Sequence, residues 1–381
     1  VTSSAADLSS IQTPALIVDR SRMVANVRRM EDRCATLGVA FRPHLKTAKS
    51  MDVARLIPSA NSHGITVSTV KEAEYFAGHG VSDILYAVGV TPDKLARIAA
   101  IVRGGATLRL SVDSAAAVEA VQAAATTHGV TFDVLVEIDS GEHRSGLLSD
   151  DPTVVALARL LDGAPGSRFN GVYTHGGHAY EATSTEQIVA IAEDERASVV
   201  DAAARCADGG VACDIVSVGS TPTLVHGAHM DGVTEARAGV CVFHDLYQVA
   251  LGCCALGDIA ATVLATVIGH QPAHGTVLVD AGGMALSKDR STQALGPQGD
   301  CGYGLVADLS GRVIEGLKVD EAYQEHGLIR GPGADPDHFP LGSRVRVLPN
   351  HACMTAAAYA SYHVVEGTSG VGSWSRVNEW V

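Results

Sequence analysis

A chain of 381 residues, 46% of them apolar, can bury one large core or two ordinary ones and is not composed like a disordered segment. Its 28 Lys and Arg against 42 Asp and Glu leave a net charge of −14 with no basic run, which argues against nucleic acid and anionic membrane as partners. The longest apolar stretch, about Ile259 to Ile268, stops at Gly269 and His270, too short to cross a bilayer.

Eight scattered cysteines with no C-x-x-C pair fit reduced thiols, so the expectation is a soluble protein of a reducing compartment, the cytoplasm first. The chain opens on Val1 and a Ser/Ala-rich stretch rather than Met, and targeting is not legible from it.

In chain order, a short strand at Ala15 to Val18 precedes a helix that Ser21 would cap, with Met23, Val27, Met30 and Cys34 on one face. Eight β-rich runs follow: Phe41 to Leu45, Gly64 to Ser68, Asp83 to Ala87, Thr107 to Val112, Phe132 to Ile138, Phe169 to Thr174, Asp214 to Val218 and Gly232 to Arg237. Between them lie helical spacings such as Asp113 to His128 and Ser184 to Cys206, where Ser184 and Gln187 stand at capping-box spacing. This alternation over residues 20–250 predicts a (β/α)8 barrel of the TIM kind, with an open doubly wound sheet as the alternative.

After Leu251 the alternation ceases. Ala261 to Ile268, Thr276 to Asp280, Arg312 to Ile314, Ser343 to Leu348 and Tyr362 to Glu366 read as strands without long helices between them. The expectation is a mainly β second domain over 251–381, joined by the early strand at about 11–19.

In such a barrel the chemistry gathers where the strands end. Strand one runs into His44-Leu45-Lys46-Thr47, strand five into Asp139 to Arg144, strand six into His175-Gly176-Gly177-His178-Ala179-Tyr180, strand seven into Gly219-Ser220-Thr221 and strand eight into Ala238-Gly239-Val240. Lys46 at the barrel mouth could form a Schiff base, or be a solvated lysine that merely follows a strand. Ser220 and Thr221 open a helix and suit a phosphate, but a plain helix cap has the same letters. Arg144 could hold an anion or be a rim ion-pair partner. In Pro349-Asn350-His351-Ala352-Cys353, an imidazole and a thiolate two residues apart on an extended segment would reach one cation; a buried Cys beside a hydrogen-bonded His is the other reading. Nucleotide-binding glycine loops and the nucleophile elbow of serine hydrolases are absent from the sequence.

Together, Arg42-Pro43-His44-Leu45-Lys46-Thr47 and Pro349-Asn350-His351-Ala352-Cys353 resemble the D-threonine aldolase and D-serine dehydratase family, alanine-racemase-like pyridoxal-phosphate enzymes of fold type III. The likeness runs from Thr13-Pro14-Ala15-Leu16 to Trp380. It implies an α/β barrel, a C-terminal β domain and a homodimer. By the same resemblance Lys46 carries pyridoxal 5'-phosphate, Tyr180 faces its pyridine nitrogen and Arg144 lies near its ring oxygen. Ser220, Thr221, Gly239 and Val240 would hold its phosphate, and His351 with Cys353 a divalent metal (Zn, Mn or Mg).

The implied substrate is a β-hydroxy D-amino acid. The segments Asp280 to Arg290 and Gln324 to Gly327 look more like the aldolases, which cleave D-threonine or D-allo-threonine to glycine and acetaldehyde. A thiolate ligand points instead to the zinc-associated dehydratases of D-serine or 3-hydroxyaspartate. Gly283 stands where a bulky residue is expected. The main expectation is the aldolase, with dehydration as its alternative; a non-catalytic pyridoxal-phosphate carrier and an amino-acid racemase are the further readings. His63, His175, His178 and a metal-bound water are the candidate bases.

Overall fold

The structure is a computed structural model that describes residues 8–380. The chain enters on β1 (Ala15–Asp19), buried throughout, and the helix Arg20–Leu37. Met23, Val27, Met30 and Cys34 are all buried, as their spacing requires. Asp19, not Ser21, caps this helix: its Oδ1 accepts the Arg22 N–H at 3.1 Å, because the carboxylate stands three residues ahead of that free donor.

Two compact units follow from the contacts within the chain. One comprises Arg29–Gly239 and the chain's last residues from Val377; the other comprises Val240–Arg376 and the segment through Arg28. The division falls at Gly239 and not at residue 250, because Leu246 and Tyr247 donate their N–H groups to the carbonyls of Pro349 and Asn350. Val381, the end of the expected second domain, lies outside the described residues.

The first unit holds β2 (Ala40–Phe41), β3 (Ile65–Val67), β4 (Asp83–Gly89), β5 (Thr107–Val112), β6 (Phe132–Ile138), β7 (Ser167–Thr174), β8 (Ile215–Val218) and β9 (Glu235–Ala236). All pair in parallel in the order β2-β9-β8-β7-β6-β5-β4-β3. A bridge between His44 and Thr66 closes the ring, with Leu45 N–H to Thr66 O at 2.8 Å and Thr66 N–H to Pro43 O at 2.9 Å. The sheet is therefore a barrel and the open doubly wound alternative falls. Pro43 has no N–H to give, so the expected strand over Phe41 to Leu45 shrinks to two residues and this bridge.

The crossover helices are capped as the sequence indicates. Ser114 Oγ accepts from Ala117 N–H ahead of Ala115–His128, and Ser184 Oγ from Gln187 N–H ahead of Thr185–Asp208. The Gln187 amide oxygen turns back to Thr183 N–H at 2.7 Å, one residue before the expected box partner.

The second unit is built on β10 (Ala261–Gln271), β11 (Thr276–Val279), β12 (Leu305–Ala307), β13 (Val313–Ala322), β14 (Gly327–Arg330), β15 (Arg344–Leu348), β16 (Ser361–Glu366) and β17 (Ser369–Ser375). With β1 they form a nine-stranded sheet in the order β11-β14-β13-β12-β15-β10-β1-β16-β17, antiparallel except where β1 meets β16. Three of these strands were not expected: β12 and β14 are three and four residues long, and β17 is a glycine-rich edge. Among the described residues no helix is long and apolar enough to cross a membrane.

Candidate active site

A cavity of about 410 Å³ lies in the barrel unit, and Lys46, Arg144 and His175 all line it. Leu45, fully buried, anchors the turn that follows the closing bridge, and the exposed Lys46 comes directly after it. Arg144 is half solvent-facing and pairs with Glu142 at 3.3 Å. Tyr180 is not among the lining residues; it sits in the 3-10 turn Gly177–Glu181. The tyrosine that reaches the cavity is Tyr173, at the end of β7.

Tyr173 belongs to a polar layer inside the barrel. Cross-strand register sets it opposite Glu137 on one side and Ser217 on the other. Its hydroxyl lies 2.5 Å from Ser111 Oγ, and Glu137 accepts from Ser111 Oγ at 3.3 Å and from Ser145 Oγ at 2.7 Å. The Arg237 guanidinium stands 5.0 Å over the Tyr173 ring and donates to Ser217 Oγ at 2.8 Å. Burial, reinforced by the Glu137 charge, pushes the phenol well above its usual range, so it keeps its proton. Burial and the charges of Lys46 and Arg237 hold His44 well below an ordinary histidine. Polar letters near the ends of otherwise apolar strands were the signal for this layer: Ser111, Glu137, Tyr173 and Ser217.

Burial, helped by Lys46, brings His175 down to about 3, so it is neutral at working pH. Its Nδ1 lies 2.5 Å from the Gly219 carbonyl and must donate to it, which leaves Nε2 as the acceptor. Glu195, buried on the helix Thr185–Asp208, accepts from Gly176 N–H at 2.7 Å and Gly219 N–H at 2.8 Å, tying the turn after β7 to the turn after β8. Of the other base candidates, His178 is half-buried in the turn after β7, whereas His63 is exposed and precedes β3, at the opposite end of the strands.

The expected phosphate residues come from adjacent strand ends. Ser220 caps the helix Thr221–His226 after β8, Gly239 follows β9, and Val240 opens a buried 3-10 turn. Thr221 Oγ1 is buried without a hydrogen-bond partner, which fits a ligand that supplies acceptors. A Cβ on Gly239 would lie 2.6 Å from the His44 carbonyl, so only glycine allows that approach. None of these four is among the cavity's lining residues; the basic and hydroxyl-bearing groups that do line it, Lys46, Arg144, Arg237, Ser68, Ser145 and Tyr173, fit pyridoxal phosphate.

In the second unit β15 ends at Leu348, and His351 caps the helix Ala352–Ala356, which carries Cys353 in its first turn. The pair is thus brought together by a cap and a helical turn, not by an extended segment, with the thiol in hydrogen-bond reach of the imidazole. His351 Nδ1 lies 2.7 Å from Asp289 Oδ2, and Asp245 Oδ2 holds the Ala352 N–H at 2.8 Å. Burial works against the imidazolium, but Asp289 and Cys353 outweigh it and raise His351 to about 11. A carboxylate on Nδ1 is how a metal-binding imidazole is oriented, with Nε2 left for the ion. Among the described residues no group of three or more His, Cys, Asp or Glu is gathered as a complete metal site; the His351 and Cys353 pair fits an ion that keeps open positions.

The family description "Alanine racemase, N-terminal domain" matches residues 18–246, and a serine dehydratase domain matches residues 260–365. The chain therefore belongs to the alanine-racemase-like pyridoxal-phosphate enzymes of fold type III, in the group of D-serine dehydratases and D-threonine aldolases. It is 47% identical over 98% of its length to D-threo-3-hydroxyaspartate dehydratase of Delftia sp. (strain HT23), covering 99% of that protein. It is 32% identical to D-threonine aldolase of Arthrobacter sp., over 90% of this chain and 86% of that one. The solved Delftia dehydratase superposes with a TM-score of 0.93 at 45% identity, over 98% of this chain and 100% of that one; a cysteine-to-alanine variant of D-threo-3-hydroxyaspartate dehydratase, solved in a metal-free form, matches equally well. Membership of an enzyme family across both units sets the carrier reading aside.

Proposed function

We propose that this chain is a metal-assisted dehydratase of β-hydroxy D-amino acids, with a D-3-hydroxyaspartate as its substrate and a 2-oxo acid and ammonia as products. The observation that carries the reading is the His351 and Cys353 pair backed by Asp289, since a thiolate suits Zn²⁺ and a leaving hydroxide needs a Lewis acid. The 47% identity to a dehydratase of such a substrate, against 32% to a D-threonine aldolase, supports dehydration over the retro-aldol cleavage of D-threonine expected from the sequence.

Pyridoxal phosphate at Lys46 would supply the electron sink that loosens a bond at Cα. A divalent metal on His351 Nε2 and Cys353 Sγ would supply the acid that lets the β-hydroxyl depart. The chain's own residues do the rest. Lys46 Nζ would be the base that takes the Cα proton. Arg144 would partner the ring oxygen, Tyr173 in place of Tyr180 would offer its hydroxyl to the ring, and Ser220, Thr221, Gly239 and Val240 would hold the phosphate. Neutral His175 offers Nε2 as a proton acceptor within the same cavity. Loss of water, followed by hydrolysis of the resulting imine, returns oxaloacetate and ammonia from 3-hydroxyaspartate. A homodimer is proposed with this reading, on the family resemblance.

The test is ammonia release from D-threo-3-hydroxyaspartate and from D-serine with pyridoxal phosphate, before and after chelation. Ammonia matched by the 2-oxo acid, lost on chelation and regained with Zn²⁺, is the expected result. Glycine as the main product would overturn it.

A further inference from the structure

We propose that Lys288 is the specificity residue that receives the second carboxylate of a dicarboxylic substrate, and that Gly283 exists to let it do so; this rests on the dehydratase reading above. Lys288, Asp289, Arg290 and Tyr303 line an open depression of about 870 Å³. Asp289 is the residue that orients His351, so its neighbour Lys288 belongs to the same stretch of the second unit as the proposed metal pair, which would act at the substrate's Cβ.

Of the two cations here, Arg290 is already matched by Asp300 at 2.6 Å. Lys288 is different. Its Nζ donates to the Ala322 carbonyl at 2.8 Å and stands 5.4 Å over the Tyr303 ring, and among the described residues it makes no ion pair with a carboxylate. An ammonium has three N–H donors, so two remain for a ligand carboxylate.

The lysine's path is fixed by a glycine. A Cβ at Gly283 would lie 2.7 Å from Lys288 Cε and 3.3 Å from its Cδ, with the Tyr323 carbonyl next, at 3.4 Å. The missing side chain is the groove in which the lysine stem lies. Because the crowded atoms are the end of a flexible side chain, Gly283→Ala would move the lysine tip without straining the backbone.

The experiment compares kcat/KM for D-threo-3-hydroxyaspartate with that for D-serine, which has the α-carboxylate but no second one, in the pyridoxal-phosphate and Zn²⁺-loaded enzyme. Lys288→Met and Gly283→Ala are each expected to lower this ratio about tenfold, the lower end for one charge-assisted hydrogen bond, chiefly through KM for the dicarboxylate. Succinate, as a competitive ligand followed by calorimetry, should weaken in parallel. An equal fall for both substrates would mean that Lys288 reads the α-carboxylate or merely supports the fold, and unchanged kcat/KM for both that it reads neither; both overturn the proposal. If the wild-type enzyme releases ammonia from D-serine but not from 3-hydroxyaspartate, the substrate reading itself falls, and this proposal with it.

Discussion

Lys46 owes its position to three neighbours in sequence: Pro43 ends the ladder, His44 makes the closing bridge and the buried Leu45 anchors the turn. Lys46→Ala is expected to abolish the lysine-linked chromophore and leave no borohydride-fixed adduct, with the fold intact by circular dichroism; a persisting adduct would place the linkage on another lysine. The roles proposed for Lys46, Arg144 and the His351 and Cys353 pair rest on short local motifs that can be read in the sequence. The choice of tyrosine has no such motif. Tyr173 and Tyr180 lie in one run, and only the strand register, which sets Tyr173 opposite Glu137, separates an inward strand residue from a turn residue.

Strand ends that meet at close quarters set the shape of the site. Gly239 lies against the carbonyl of His44, the same segment that closes the barrel and presents Lys46. Gly239→Ala must push that backbone away, so a loss of about 1–3 kcal/mol in stability is expected, seen as a lower Tm, together with weaker cofactor retention. An unchanged Tm would show that the approach is looser than this. The eight parallel strands were readable because each pairs a β-rich run with a helical spacing. The second unit was less so: β13 was expected to end at Ile314 but continues through Glu315, Gly316, Lys318 and Asp320, a half-exposed strand whose polar letters hide it. Asp289 and Glu195 were equally silent, since each acts on a backbone or side chain far off in sequence.

At the scale of the whole molecule, the site burdens the fold with buried neutral histidines. An unfolded histidine takes a proton below about pH 6.5, whereas folded His175 resists it down to about 3 and His44 is lowered as well. The unfolded state therefore binds more protons in this window, and stability rises with pH through it. Unfolding free energies from urea titrations should fall as the pH drops from about 6.5 toward 3, by on the order of a few kcal/mol. His175→Asn should flatten that slope, and an identical slope in the variant would remove His175 as its source.

The central claim is that this barrel and metal pair eliminate water from a β-hydroxy D-amino acid instead of cleaving its carbon chain. The direct measurement is carbon NMR of D-threo-3-hydroxyaspartate labelled at Cα during turnover by the loaded enzyme. The label is predicted to appear in the carbonyl carbon of oxaloacetate, with ammonia in equal amount; label in the methylene of glycine, with glyoxylate beside it, would contradict the account.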